Sequence, residues 1–258
     1  MGLERSAQSE TGGTVMSVAK TRKVAAIVLA AGKGSRMGTS VQKQYLNLGG
    51  RPLLCYALEA FEHSPVDQVI LVTGAGEEEY CRQEIVERYG YSKVASIVCG
   101  GKERYHSVYE GLKAVHECED VLIHDGARPC VTEEIICAAM EGAVRHKACV
   151  IGMPVKDTIK MADDNEDASC TPDRSHLWLI QTPQAFSYEL VRTAYDKLFA
   201  NPPVGQNITD DAMVVELMTR QKVHLVRGSY ENIKVTTPED MEVAEIFLRR
   251  EGKALLSR

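Results

Sequence analysis

From Val24 to Met153, apolar residues come in short unbroken runs that alternate with stretches where they recur every three or four positions. Val24-Ala25-Ala26-Ile27-Val28-Leu29, Gln68 to Thr73, Val94 to Cys99, Val121-Leu122-Ile123 and Cys149 to Met153 have strand length and β-branched content. Such runs suit strands buried on both faces of a parallel sheet. Between them, Leu53, Leu54, Ala57, Leu58 and Phe61 share one helical face behind Pro52, a first-turn proline. Further helices are predicted from about Glu77 to Tyr89, through Val108, Leu112 and Val115, and from about Thr132 to His146. Strands alternating with helices at this spacing predict right-handed crossovers: an α/β, doubly wound, mostly parallel Rossmann-like sheet with helices on both faces.

The rhythm breaks at Pro154. Val155 to Met161 alternates like a half-exposed strand, Ala162 to Ser169 is a polar acidic turn, and Leu177-Trp178-Leu179-Ile180 is expected to return antiparallel. The result is a β-arm, at about 155–175, inserted in the domain. An unpaired arm edge is covered by pairing with a second copy, so a homodimer through the arm is expected. Beyond it the pattern predicts a helix through Leu190, Ala194 and Leu198, another capped by Asn207 to Asp211, and a strand at Val223 to Val226. In a last helix Thr237 is the N-cap, Pro238 the first residue and Asp240 the N3 residue.

Composition narrows the function. The 258 residues suffice for one large α/β domain, placed at 23–258, and the polar, Gly/Ser/Thr-containing residues 1–22 are expected to be a disordered leader. A net charge of -6 argues against a nucleic-acid partner. No apolar run approaches the roughly 20 residues of a membrane span, so no membrane partner is expected. The eight cysteines show no CxxC pair, which points to free thiols in a reducing cytoplasm and to no zinc site.

In such sheets ligands bind beyond the carboxyl ends of the strands. The loops there carry charge: Lys33, Arg36 and Lys43 after the first strand, Lys102 and Arg104 after the third, Asp125 and Arg128 after the fourth. The first loop, Ala30 to Gly38, adds Gly32, Gly34 and Gly38, which let a ligand approach the main chain. A polyphosphate suits it. It is not a P-loop, for no Gly-x4-Gly-Lys-Ser/Thr run occurs, and Met37 stands where a dinucleotide fingerprint wants Gly or Ala.

Seven motifs in order carry a more specific signal. They are Leu29-Ala30-Ala31-Gly32-x-Gly34-x-Arg36-Met37 with Lys43-Gln44-Tyr45, Gly100-Gly101 with Arg104 and Ser107, His124-Asp125-x-Ala127-Arg128-Pro129, Pro154-Val155-x-Asp157-Thr158, Thr182-Pro183-Gln184, Thr209-Asp210, and Ile233-Lys234-Val235-Thr236. From Val24 to the last helix the chain thereby resembles the 2-C-methyl-D-erythritol 4-phosphate cytidylyltransferases. That resemblance implies a nucleotidyltransferase sheet and transfer of CMP from CTP to methylerythritol phosphate, releasing pyrophosphate, with Mg2+ or another divalent cation as cofactor. It implies Arg36, Lys43 and Lys234 as the catalytic cations. It further implies Ala30, Ala31, Gly32, Gly34, Gly101, Ser107, Asp125 and Gly126 around CTP, with Asp125 also beside the metal. Arg128, Thr158, Arg174, Thr209 and Thr236 are implied around the acceptor, Thr158 and Arg174 from the arm of the neighbouring subunit.

Three residues depart from the family pattern. Gln42 replaces a common Pro, which is expected to loosen the loop holding Lys43; Lys102 replaces a frequent acidic or polar residue; Glu110 stands where Asn is common. The rival readings are a ribitol 5-phosphate cytidylyltransferase, whose members often read Ala-Gly-Gly at the opening, a UTP- or GTP-dependent sugar-1-phosphate transferase, and a non-catalytic nucleotide sensor. Arg36, Lys43, Asp125 and Lys234 together count against the sensor, which has no need of cations around the α-phosphorus.

Overall fold

The computed structural model describes residues 22–32 and 42–252. Residues 1–21 of the expected leader, Gly34 and Arg36 therefore lie outside the described residues, whereas Arg22, the leader's last residue, pairs with Asp120 at 2.6 Å.

β1 (Val24–Ala30) is followed by a small hairpin of β2 (Asn47–Leu48) and β3 (Arg51–Pro52), then α1 (Leu53–His63) and β4 (Gln68–Thr73). The next helix, α2, begins as Glu78–Tyr80 and continues as a π-helical stretch, Cys81–Glu87. Then come β5 (Val94–Cys99), α3 (Arg104–Ala114), β6 (Asp120–Asp125), α4 (Glu133–His146) and β7 (Ala148–Pro154). The remainder is β8 (Met161–Ala162), β9 (Ala168–Cys170), β10 (Trp178–Ser187), α5 (Tyr188–Ala200), α6 (Asp211–Thr219), β11 (His224–Arg227) and α7 (Pro238–Arg250).

The main sheet has the order β11-β7-β10-β6-β1-β4-β5, and every pairing is parallel except those of β10. Side-chain alternation in β1 explains the two covered faces. Ala26, Val28 and Ala30 join Leu54, Phe61, Ile85 and Ile136 under α1, α2 and α4, while Ala25 and Ile27 join Val108, Leu112, Val191 and Val214 under α3, α5 and α6. A third cluster seats α7 through Ala244 and Leu248 on Leu53, Tyr56 and Val235, which brings the chain from Lys234 onward beside the C-terminal end of the sheet. The caps follow the sequence: Thr132 accepts from the Ile135 N–H, Asp210 from the Met213 N–H, and Asp240 from the Thr236 and Thr237 N–H groups.

One expectation is corrected. Residues 155–160 form no strand, and Trp178, Leu179 and Ile180 pair instead with Pro154, Met153 and Gly152 of β7. The arm reduces to the short β8–β9 pair beyond that junction, whose turn Asp163 ties by accepting from the Asn165 and Asp167 N–H groups. β10 continues past this junction as a central strand containing Gln181-Thr182-Pro183-Gln184. Proline is normally excluded from a central strand for want of an N–H. Here the β7–β10 register shifts between Ile180 and Gln184, so Pro183 sits in a bulge.

Candidate active site

The C-terminal ends of β1, β5 and β6 open onto a crevice of about 580 Å³. Its walls include Ala30, Ala31 and Gly32 from the first loop, Lys43, Gly101, Lys102, Arg104 and Ser107 after β5, Asp125 after β6, and Lys234. Gly100 lets these walls meet: a Cβ there would stand 2.6 Å from the Ala31 Cβ and 2.7 Å from the Ser107 hydroxyl oxygen. The Gly101 N–H donates to that hydroxyl oxygen at 3.1 Å, which fixes the Gly100-Gly101 turn against the first turn of α3.

A second cavity of about 300 Å³ adjoins the first and shares Arg104, Asp125 and Lys234 with it. Arg128, Thr182, Gln184 and Thr209 are among its other lining residues. The wall common to both cavities is an ion network. Lys234 Nζ lies 2.7 Å from Asp125 Oδ2, and Arg104 Nε lies 3.2 Å from Asp125 Oδ1. The rest of the Arg104 guanidinium donates to both oxygens of Asp211 at 3.0 and 2.8 Å, and the Tyr195 hydroxyl donates to Asp211 Oδ1 at 2.6 Å.

Burial by itself would raise the Asp125 pKa, but the charges of Arg104, Lys234 and Arg128 override it and hold the carboxyl well below the usual range. Burial likewise opposes the charge on Arg104, and Asp211 and Asp125 more than offset it. Both groups stay ionised at neutral pH. Behind Asp125, burial pushes the His124 pKa down to about 4. Its Nε2 faces the Arg128 carbonyl at 3.3 Å, an acceptor, so Nε2 carries the proton and Nδ1 accepts from the Thr182 hydroxyl at 3.1 Å. The Asp125 N–H donates to that same hydroxyl oxygen at 3.1 Å. A neutral imidazole thereby braces the backbone on both sides of the Asp125-to-Arg128 turn.

Of the residues singled out in the sequence, Ala30, Ala31, Gly32, Lys43, Gly101, Ser107, Asp125 and Lys234 converge on the crevice, and Arg128 and Thr209 on its neighbour. Gly126 faces inward, where a Cβ would meet Leu54 at 2.8 Å and the Leu29 carbonyl at 2.9 Å. Thr236 donates its hydroxyl to Asp240 at 2.8 Å at the start of α7, outside both linings. Thr158 and Arg174 stand exposed on the arm, where Arg174 donates to the Lys156 carbonyl at 2.9 Å. Glu110 pairs with Lys113 at 2.7 Å on α3, outside both cavities.

Sequence reading passed over Asp211, Tyr195 and the pairing role of Arg104. Asp211 read as part of a cap, yet the cap is Asp210, and Gln184 Oε1 accepts from the Asp211 and Ala212 N–H groups to turn Asp211 inward. A second acid behind a good N-cap was the available signal.

The family model for 2-C-methyl-D-erythritol 4-phosphate cytidylyltransferase matches residues 24–250. A protein of that name from Lachnospira eligens is 51% identical over 225 residues, covering 87% of this chain and 98% of its own. One from Lachnoclostridium phytofermentans is 48% identical over 227 residues, covering 88% and 97%. Among solved structures, a 4-diphosphocytidyl-2C-methyl-D-erythritol synthase from Anaerococcus prevotii superposes with a TM-score of 0.77 at 35% identity, covering 89% of this chain and 97% of that one.

Proposed function

The chain belongs to the 2-C-methyl-D-erythritol 4-phosphate cytidylyltransferase family, and from that premise we propose how its two cavities divide the reaction. The enzyme transfers CMP from CTP to methylerythritol phosphate, giving 4-diphosphocytidyl-2-C-methyl-D-erythritol and pyrophosphate in the non-mevalonate route to isoprenoids. CTP takes the larger crevice and the acceptor the smaller. The observation that carries this division is the wall they share, Arg104, Asp125 and Lys234, where the reacting phosphorus has to lie.

A phosphate oxygen of the acceptor attacks the α-phosphorus. A new P–O bond forms, the bond to the bridging oxygen of the β-phosphate breaks, and pyrophosphate leaves with the electron pair. The nucleophile is already ionised at neutral pH, so the site needs no general base, only alignment and charge stabilisation. Lys43 and Lys234 supply that charge from the crevice wall, with Arg36 assigned to the same task from its motif. Asp125 aligns the cations: its two oxygens hold Lys234 and Arg104 apart. Gly101 and Ser107 receive the base, and Arg128 and Thr209 the acceptor, joined by Thr158 and Arg174 from the arm of a second subunit in a cytoplasmic homodimer.

For magnesium, the buried donor in the shared wall is the single carboxylate of Asp125, and the described residues hold no group of three metal-ligating side chains. Such a site suits an ion carried chiefly by phosphate oxygens. Bound there, magnesium would neutralise triphosphate charge.

Purified protein with CTP and magnesium, offered methylerythritol phosphate or ribitol 5-phosphate while pyrophosphate is measured, tests the assignment. Release with methylerythritol phosphate is expected. Turnover with ribitol phosphate alone would sink the acceptor, and no release with either would restore the sensor reading.

A further inference from the structure

Lys43 stands on a single 3-10 turn, Lys43–Tyr45, flanked by extended residues and outside the main sheet. Its local backbone bonds are Tyr45 N–H to the Gln42 carbonyl (2.9 Å) and Leu46 N–H to the Lys43 carbonyl (3.2 Å). So short a turn has poor hydrogen-bond geometry and does not by itself hold a side chain in place. Lys43 Nζ itself donates to the Val235 carbonyl at 3.2 Å, and other side chains anchor the turn from two directions. Gln44, 2% exposed, donates to the Ala30 carbonyl at the end of β1 and to Gln42 Oε1, both at 2.5 Å. On the other side Glu77, in the loop after β4, accepts from the Gln42 amide, from the Tyr45 hydroxyl at 2.8 Å and from the Gly74 N–H at 3.1 Å. Gly74 leaves just enough room, for a Cβ there would lie 2.8 Å from the Glu77 carboxyl carbon. Tyr80 packs edge-on against Tyr45 with centroids 5.1 Å apart.

We propose that Glu77, acting through Gln42 and Tyr45, is the positioning residue that holds the Lys43 turn against the nucleotide crevice. Glu77 does not line that crevice, so its effect on the reaction passes through the turn. The expectation that Gln42 loosens this loop is corrected by the same contacts. Gln42 has φ -66, the value a proline ring would impose, with ψ 142, and its amide ties that conformation to Glu77. The side chain does by hydrogen bonding what a ring does by covalent constraint.

The activity arm of the test rests on the cytidylyl-transfer reading; the exchange arm does not. Gln42→Ala and Glu77→Ala are each expected to lower kcat roughly tenfold or more while KM for CTP moves less than about threefold, since a displaced catalytic group costs most in the transition state. Gln42→Pro, which lacks the amide but fixes φ, is expected to regain most of the loss. Hydrogen exchange at the Tyr45 and Leu46 amides, measured without substrate, is expected to accelerate in both alanine variants and to slow again in Gln42→Pro. Unchanged exchange in the alanine variants, or Gln42→Pro exchanging as fast as Gln42→Ala, overturns the proposal. So does a Gln42→Ala kcat within about twofold of the parent value. A parent protein with no turnover refutes the transfer reading instead, and exchange alone then decides whether Glu77 clamps the turn.

Discussion

Replacing Asp211 by alanine tests the ion network most directly. Asp211 is fully buried, and its carboxylate accepts two hydrogen bonds from Arg104 and one from Tyr195. Removing one partner of a buried pair costs about 3–5 kcal/mol, because the other charge stays behind uncompensated. Arg104 keeps 27% of its side chain exposed and retains Asp125 as a second partner, which places the expected loss near the low end, at about 3 kcal/mol. That is a fall of roughly 150-fold in the folding equilibrium, and about 6–12 °C in melting temperature for a chain of this size. Urea unfolding followed by far-UV circular dichroism measures it. The double variant Arg104→Met/Asp211→Leu, in which both charges are gone, is expected to recover at least half of the loss. A loss below about 1 kcal/mol in Asp211→Ala, or no recovery in the double variant, would refute the claim that pairing rather than packing makes this carboxylate necessary.

Three further outcomes are expected. His124 is neutral in the fold down to about pH 4, whereas its ordinary pKa is 6.5. Its contribution to stability is therefore complete above pH 6.5 and falls away between 6.5 and 4, by about 3 kcal/mol in all; His124→Gln should lack that part of the acid slope, and an unchanged slope in the variant contradicts the neutral assignment. Lys43→Ala should lower turnover much more than CTP affinity, and an equal loss in both would show that Lys43 binds substrate and transition state alike. The protein should sediment as a dimer, and a variant lacking residues 156–175 as a monomer; a dimer that survives the deletion places the interface elsewhere.

Local signals explain most of what could be read without coordinates. Strand runs and helix repeats report which side chains must be buried, and a buried residue leaves its period in the sequence whatever its distant neighbours are. That is why β1, β4, β5, β6 and β7 lie where the pattern put them, and why Thr132, Asp210 and Thr237 begin helices. The family resemblance marked Lys43, Ser107, Asp125 and Lys234, and for the charged loops after β1, β5 and β6 the reason is plain: the ends of parallel strands share one end of the sheet. Long-range pairing left no such trace. β10 enters between β6 and β7 through a polar, proline-containing segment whose Gln181, Thr182 and Gln184 are buried because distant backbone groups satisfy them. Asp211 meets Arg104, more than a hundred positions away, and Glu77 meets Gln42, 35 positions away; neither pairing leaves any period or spacing. Residue types and periodicity were enough for the sheet and for the cations at its end. What orients those cations is a set of polar contacts between segments far apart in the chain, and only the packing of α3, α6 and the β4–α2 loop around one end of the sheet brings them within bonding distance.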